Sequence, residues 1–72
     1  MYSFSDKDLA ILDAYVRDGT CAGAADGLGL AEQSVKNRLY LMRLKARVPT
    51  NVALVYELRD DLRAYRKAGK VA

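Results

Sequence analysis

The sequence contains no histidine and no tryptophan, and it has a single cysteine, Cys21, and a single proline, Pro49. Without histidine and with only one thiol, the chain lacks the residues of a zinc site, a Cys–His pair and a Ser–His–Asp triad. A lone cysteine also excludes a disulfide within the chain, which is typical of a cytoplasmic protein. These absences favour a protein that is not an enzyme and that uses no metal or cofactor.

Long apolar runs are missing as well. No stretch approaches the roughly 20 apolar residues that a membrane-spanning helix needs. The first eight residues include an acidic cluster where a secretory signal would carry basic charge. We therefore expect a cytoplasmic protein of a prokaryotic or phage-infected cell, with no membrane partner. The chain has 72 residues, and its apolar share of 51% suffices for one core, so we expect a single domain over residues 1–72.

Charge is distributed unevenly along the chain. Residues 1–34 carry six acidic and two basic side chains, a net charge of −4, whereas residues 35–72 carry three acidic and ten basic ones, a net charge of +7. Residues 35–47 contain five basic side chains and no acidic one. This asymmetry is typical of a protein that binds a polyanion, although a solvated basic face would give the same pattern.

Apolar periodicity and helix signals predict four helices. Their approximate bounds are residues 5–18, 20–28, 31–47 and 51–67. Ser5 and Thr20 are candidate N-caps of the first two helices, and either Thr50 or Asn51 can cap the fourth. Gly29 can take the positive φ that ends the short second helix. The predicted fold is all-α, a four-helix bundle-like domain.

The third predicted helix has two different faces. The apolar face consists of Val35, Leu39, Met42 and Ala46, at spacings of four, three and four. The neighbouring face carries basic and hydrogen-bonding side chains at the same spacing. One face therefore suits a core, and the other suits a negatively charged partner with hydrogen-bonding edges.

The order of helix, short helix, glycine turn and basic helix is that of a helix-turn-helix motif, whose last helix enters the DNA major groove. Ala25 lies where two such helices would cross, Gly29 falls in the turn, and Val35 is the first core residue of the recognition helix. We therefore predict a helix-turn-helix motif that binds double-stranded DNA.

The residues around this motif resemble a known family. Residues 34–39, Ser-Val-Lys-Asn-Arg-Leu, resemble the Thr-Val-Lys-x-His-x core of LuxR-type regulators, which include the GerE-like proteins. The resemblance covers about residues 4–58, and the chain length suits a stand-alone member. It implies a transcriptional regulator that reads the major groove with its third helix and dimerises through its fourth. Ala31 departs from the pattern, because the family has a capping Ser or Thr there.

Each polar residue of the motif has an expected role on DNA. The residues expected to contact base edges are Gln33, Lys36, Asn37 and Tyr40. The residues expected to contact phosphates are Thr20, Ser34, Arg38, Arg43, Lys45 and Arg47. A lysine suits guanine O6 and N7, and a side-chain amide suits adenine N6 and N7. Three of these residues have alternative roles: Thr20 as a cap only, Arg38 in an ion pair with the first helix, and Tyr40 packed beside Leu44.

The fourth predicted helix carries a narrow apolar seam. Its members are Val55, Leu58, Leu62 and Tyr65, at spacings of three, four and three. Such a two-heptad seam is typical of helix pairing, and we expect it to form a homodimer interface. The alternative is that the seam packs on the first and third helices of its own domain.

Other functions fit part of the pattern. Region 4 of sigma factors has a similar recognition helix, and small terminase subunits of phages resemble the segment 18–25 followed by a glycine turn. The second of these would make the chain a DNA-packaging protein. A different class is a small, phage-encoded interaction module whose apolar fourth helix binds RNA polymerase or another host protein.

Overall fold

The computed structural model describes residues 4–69, and all regular secondary structure in this range is helical. The helices are α1 (Asp6–Asp18), α2 (Cys21–Leu28), α3 (Glu32–Ala46), α4 (Asn51–Glu57) and α5 (Arg59–Lys67). The expected all-α class is confirmed, and the first three helices lie within a residue of the predicted bounds. The predicted fourth helix is in fact two helices. Within the described range, no helix combines the length and the apolar character needed to cross a membrane.

Helices α1, α2 and α4 begin at the side-chain caps expected from the sequence. The hydroxyl oxygens of Ser5, Thr20 and Thr50 each accept a hydrogen bond from the backbone N–H three residues later, over 3.0–3.2 Å. Helix α3 has no side-chain cap, because Ala31 holds the N-cap position with an extended backbone. Helix α3, the recognition helix expected from the sequence, therefore starts without the side-chain hydrogen bond that caps α1, α2 and α4.

Helix α1 lies at the centre of the core. It contacts α2, α3 and α5, and it buries Leu12 completely. Helix α2 contributes no large side chain to the buried core; its buried residues are Ala24 and Ala25. The remaining large and fully buried side chains are Val35, Leu39, Met42, Leu54 and Leu58. The core is thus built by α1, α3 and the segment of α4 and α5, and α2 adds only alanines to it.

The seam of the predicted fourth helix faces inward. Leu58, at φ −99° and ψ 16°, ends α4 and begins α5. Leu58, Leu62 and Tyr65 are only 0%, 3% and 5% exposed, and Val55 is half-buried. This corrects the expected dimer interface, because three of its four residues belong to the core of a single chain. Spacings of three and four are the same for a helix packed on its own domain and for one packed on a second copy.

An ion pair joins α5, the last helix, to α1, the first. The Nε of Arg66 on α5 donates a hydrogen bond to Oδ1 of Asp13 on α1 over 2.5 Å. The Asp13 side chain is 6% exposed and that of Arg66 is 48% exposed, so the pair lies at the edge of the core. Its two members are 53 residues apart in the chain.

We expect Arg66→Ala to lower the free energy of unfolding by about 1–3 kcal/mol, because it leaves a buried carboxylate without this partner. Adding Asp13→Asn to that variant should recover part of the loss. The matched control is Arg63→Ala, since Arg63 pairs with Asp60 at 3.3 Å on the open surface and should cost less than about 0.5 kcal/mol. Urea unfolding followed by circular dichroism measures all three, and equal losses for Arg66 and Arg63 would contradict the expectation.

The uncapped start of α3 gives a second expectation. Ala31→Ser should raise the free energy of unfolding by about 1 kcal/mol, because the new hydroxyl can accept a backbone N–H of the first turn. Thr50→Ala, which removes an existing cap, should lower it by a similar amount in the same urea titration. A destabilised Ala31→Ser variant would mean that the backbone there does not allow a cap.

Candidate nucleic-acid interface

Helices α2 and α3 are in contact and are joined by a three-residue turn, residues 29–31. Gly29 has a φ of 68°, and the next backbone N–H, that of Leu30, donates to the carbonyl of Ala25 over 2.9 Å. Ala25 is buried beside the turn, and Val35 is fully buried one turn into α3. Gly29 thus has the left-handed backbone expected of the turn, and Ala25 and Val35 are buried on either side of it; the crossing of α2 and α3 at Ala25 stays a prediction.

The polar side of α3 is turned away from the core. All four residues expected to contact bases are exposed: Gln33, Lys36, Asn37 and Tyr40. At 100° per residue they fall within an arc of about 100° opposite the buried face. The structure thus brings these four residues onto one open surface of one helix.

Two amide side chains on this surface are bonded to each other. Nε2 of Gln33 donates to Oδ1 of Asn37 over 2.9 Å. The bond leaves the Asn37 NH₂ group as a donor and the Gln33 carbonyl oxygen as an acceptor. The major-groove edge of adenine presents the complementary pair, the N7 acceptor and the N6 donor. The two residues can therefore act as one reader, an arrangement that their spacing of four allows.

Lys36 has a partner that the charge count of residues 35–47 did not include. Its Nζ lies 3.0 Å from a carboxylate oxygen of Glu32, one turn earlier on α3. The hydrogen bond and then the charge of Glu32 raise the pKa of Lys36 above its ordinary value of 10.5. Lys36 is thus charged at neutral pH, and its attraction to Glu32 is lost as the pH rises through that raised pKa. Lys36 is a cation near pH 7, but Glu32 offsets its charge locally.

Several residues expected to contact phosphate have a contact within the chain. Thr20 is the N-cap of α2, and Nε of Arg38 lies 3.1 Å from Oδ1 of Asp8, an ion pair that lacks the alignment of a hydrogen bond. Thr20 is thus a helix cap and Arg38 pairs with the first helix, while a phosphate contact of either residue stays a prediction. The Nζ of Lys45 lies 4.9 Å from the centre of the Phe4 ring.

Arg43 and Tyr40 form a small cluster at the far end of α3. The Arg43 guanidinium donates to the side-chain oxygen of Asn51 on α4 and lies 5.7 Å from the centre of the Tyr40 ring. Tyr40 and Leu44 are 52% and 57% exposed, so a base contact by Tyr40 and a partly buried ring beside Leu44 both stay predictions. The ring is available to a partner while Arg43 is half-buried.

Arg47 occupies an unusual backbone position. It is the C-cap of α3 with a φ of 59°, the one positive φ outside glycine among residues 4–69. A glycine is the usual residue at such a helix end, because a side chain there costs about 1 kcal/mol. The exposed Arg47 side chain therefore occupies a position where it does not favour the fold.

Lys7 is a candidate that the sequence analysis missed. It lines a groove of about 340 Å³ between α1 and α3, together with Ser34, Asn37 and Arg38. An exposed lysine in the first turn of a helix has no distinguishing local pattern, so only the packing of α1 against α3 identifies it. The groove adds a cation next to the predicted base-contacting surface.

The described residues, 4–69, contain no group of three or more Cys, Asp or Glu side chains arranged to hold a metal ion. Comparison of the chain with protein-family models, with curated proteins and with solved structures finds no match. The features of this chain that bear on its function are the turn between α2 and α3, the open polar surface of α3, and the cations around it.

Proposed function

We propose that this protein binds specific sequences of double-stranded DNA and regulates transcription as a homodimer. In this proposal α2 and α3 are a helix-turn-helix motif, and α3 enters the major groove. The observation that carries the proposal is the open side of α3, on which Gln33, Lys36, Asn37 and Tyr40 face away from the core, directly after a glycine turn. The resemblance of residues 34–39 to LuxR-type regulators supports the same reading.

The proposed base contacts use the first half of α3. A helix about 10–12 Å across fits a major groove about 12 Å wide. The Gln33–Asn37 amide pair would hydrogen-bond an adenine, and Lys36 would reach guanine O6 and N7 after exchanging Glu32 for the base. Glu32 lowers the affinity for DNA of arbitrary sequence, because its carboxylate offsets the charge of Lys36 in the free protein. The pair therefore favours sequence preference over general polyanion binding.

The proposed phosphate contacts surround this half of the helix. Ser34 and Lys7 lie on the α1 side, in the groove that also contains Asn37. Lys45 and Arg47 lie at the other end of α3. Phosphate contacts on both sides of the DNA major groove would fix the register of α3 on the duplex and supply the salt-dependent part of the affinity.

The alternative of an interaction module that binds a host protein through the fourth helix has less support. It requires Leu58 and Leu62 on the surface, and both are buried. The sigma-like and terminase-like alternatives share the contact between α3 and DNA with the main proposal. A two-fold symmetric site, which only the homodimeric regulator requires, separates the three.

Selection of bound duplexes from a random library, at a low and a high salt concentration, tests the base contacts. The wild type should enrich a two-fold symmetric motif that persists at high salt. Asn37→Ala should lose its preference at an adenine and Lys36→Ala at a guanine, each at a cost of about 1–3 kcal/mol. Lys67→Ala is the matched control, because Lys67 is an exposed lysine on α5. This variant should enrich the same motif as the wild type. Unchanged affinity and preference in Lys36→Ala would remove the assignment of Lys36.

Arg47→Gly separates stability from DNA binding. Relief of the positive φ should raise the free energy of unfolding by about 0.5–1 kcal/mol, after the entropic cost of glycine is subtracted. Loss of a phosphate contact should weaken all DNA sequences equally and reduce the slope of log K against log salt by about 0.9. Arg47→Lys should keep most of the affinity without the gain in stability. A more stable Arg47→Gly variant with unchanged salt dependence would argue against the phosphate contact.

A further inference from the structure

Glu32 is the one acidic side chain of α3, and it belongs to the first turn of the helix. Its carboxylate lies 3.0 Å from Nζ of Lys36, and the two side chains are 48% and 53% exposed. An acid in the first turn, and a lysine four residues after it, both favour the helix itself. The pairing ends when Lys36 moves to a base, and the carboxylate then needs a new partner.

Glu32 lies beside Lys36 on the surface of the helix. At 100° per residue the two positions are about 40° apart, and Glu32 is on the side of Lys36 that faces away from Asn37. The first residues of a recognition helix are those that contact base edges. If α3 enters the major groove as proposed, the carboxylate of Glu32 therefore enters it together with the ammonium group of Lys36.

A carboxylate in the major groove finds a hydrogen-bond donor on only two of the four bases. It accepts hydrogen bonds and donates none. Guanine offers the acceptors O6 and N7, and thymine offers the acceptor O4, whereas cytosine has the N4 amino group and adenine the N6 amino group. A carboxylate that meets only acceptors between two phosphate strands is an unpaired charge, which is costly. Glu32 therefore selects cytosine or adenine.

The position of Lys36 decides between these two bases. Lys36 is proposed to bind guanine O6 and N7, and the cytosine N4 group lies next to that O6, because the two are hydrogen-bonded within one base pair. Side-chain groups that lie 3.0 Å apart in the free protein can reach neighbouring groups of one base pair without a change in the α3 backbone. The adenine is already assigned to the amide pair of Gln33 and Asn37. Cytosine is therefore the better partner of Glu32.

We propose that Glu32 and Lys36 together read one G·C base pair and its orientation. Nζ of Lys36 donates to guanine O6 and N7, and the Glu32 carboxylate accepts a hydrogen bond from N4 of the paired cytosine. The proposal rests on the proposed DNA binding and adds a residue and a base to it. In the inverted pair the carboxylate would face the guanine acceptors and the ammonium group would face the cytosine amino group. Glu32 thus adds the rejection of the inverted pair, which works by repulsion.

The exchange of partners favours one base pair over the other three. Both side chains are about half exposed, and exposed ion pairs of this kind contribute little to stability, so the pair opens easily. On G·C each charged group gains a partner. On T·A the carboxylate gains the adenine amino group, but Lys36 finds one acceptor and a methyl group in place of two acceptors. The expected order is therefore G·C, then T·A, then the two pairs that place acceptors opposite Glu32.

Anisotropy titrations of the 72-residue chain with matched duplexes test this proposal. Library selection gives the motif, and the base pair in question is the one at which Lys36→Ala loses its preference. Four duplexes carry that base pair as G·C, as inverted C·G, as T·A, and as guanine paired with N4-methylcytosine. The methylated base keeps the hydrogen that pairs with guanine and has a methyl group in place of the one that faces the groove.

The matched control is Asp60→Asn. Asp60 is also an exposed acid in the first turn of a helix, α5, and it also has an ion-pair partner nearby in the chain, Arg63 at 3.3 Å. Because α5 is not part of the proposed DNA surface, this variant should bind all four duplexes as the wild type does. Circular dichroism should give the same helix content for the wild type, Glu32→Ala and Asp60→Asn, since both replaced side chains are exposed.

The wild type should bind the G·C duplex about tenfold more tightly than the inverted duplex and the methylated duplex. In Glu32→Ala, methylation of the cytosine should change the affinity less than about twofold. The inverted duplex should gain the most affinity from this substitution, because the repulsive carboxylate is absent. Lys36→Ala and Glu32→Ala should thus lose preference at the same base pair.

Equal binding of the G·C and methylated duplexes by the wild type would overturn the proposal. So would a loss on methylation that is as large in Glu32→Ala as in the wild type, or a motif in which Lys36→Ala loses no preference. A Glu32→Ala variant that is less stable but keeps the wild-type order of the four duplexes would reduce Glu32 to a residue that stabilises the helix.

The proposed function fails in a different way. A wild type that enriches no motif removes the DNA-binding assignment and this inference with it. A wild type that enriches a motif on which Glu32→Ala has no effect retains sequence-specific binding and removes the inference alone.

Discussion

The close approach of α2 to the central helix α1 is the contact on which the rest of the structure depends. It is possible because the buried residues of α2 are Ala24 and Ala25, neither of which holds the helices apart. Glycines at positions 23 and 27 make α2 a poor helix by propensity alone, so this packing and the Thr20 cap hold it helical. Once α2 is in place, the turn at Gly29 determines where α3 starts. Larger side chains at these alanines would displace the whole polar surface of α3.

Interactions between residues close in the chain explain why the first three helices can be predicted from the sequence. Hydroxyl caps, glycine stops and the spacing of Val35, Leu39 and Met42 act within a few residues, so the bounds of the first three helices follow from the sequence. Helical spacing defines a face but not its partner, so the spacing of the fourth-helix seam does not distinguish packing within the core from packing on a second copy. No proline or glycine marks the break between α4 and α5 at Leu58, so the sequence does not predict it. The Arg66–Asp13 pair joins distant parts of the chain, which no local pattern can reveal.

Ion pairs within the chain change the meaning of its net charge. Lys36, Arg63 and Arg66 all lie within 3.3 Å of a carboxylate oxygen of the same chain. Arg38 is 3.1 Å from one as well. These cations contribute less to the field around α3 than their number suggests. In the proposed function, the phosphate contacts therefore depend on side chains at the margins of this surface, above all Lys7 and Arg47. The polar centre of α3 is the part proposed to discriminate between bases.

The attachment of α5 to α1 has a consequence for the order in which the protein forms. Helices α1, α2 and α3 follow one another closely and can associate through near neighbours in the chain, which is fast. The Asp13 carboxylate, however, meets Arg66 only after α5 has been synthesised, 53 residues later. During translation, α1 therefore stays open on the side that α5 later covers, with Asp13 still hydrated. The nascent chain reaches its final packing only when its last helix closes against its first.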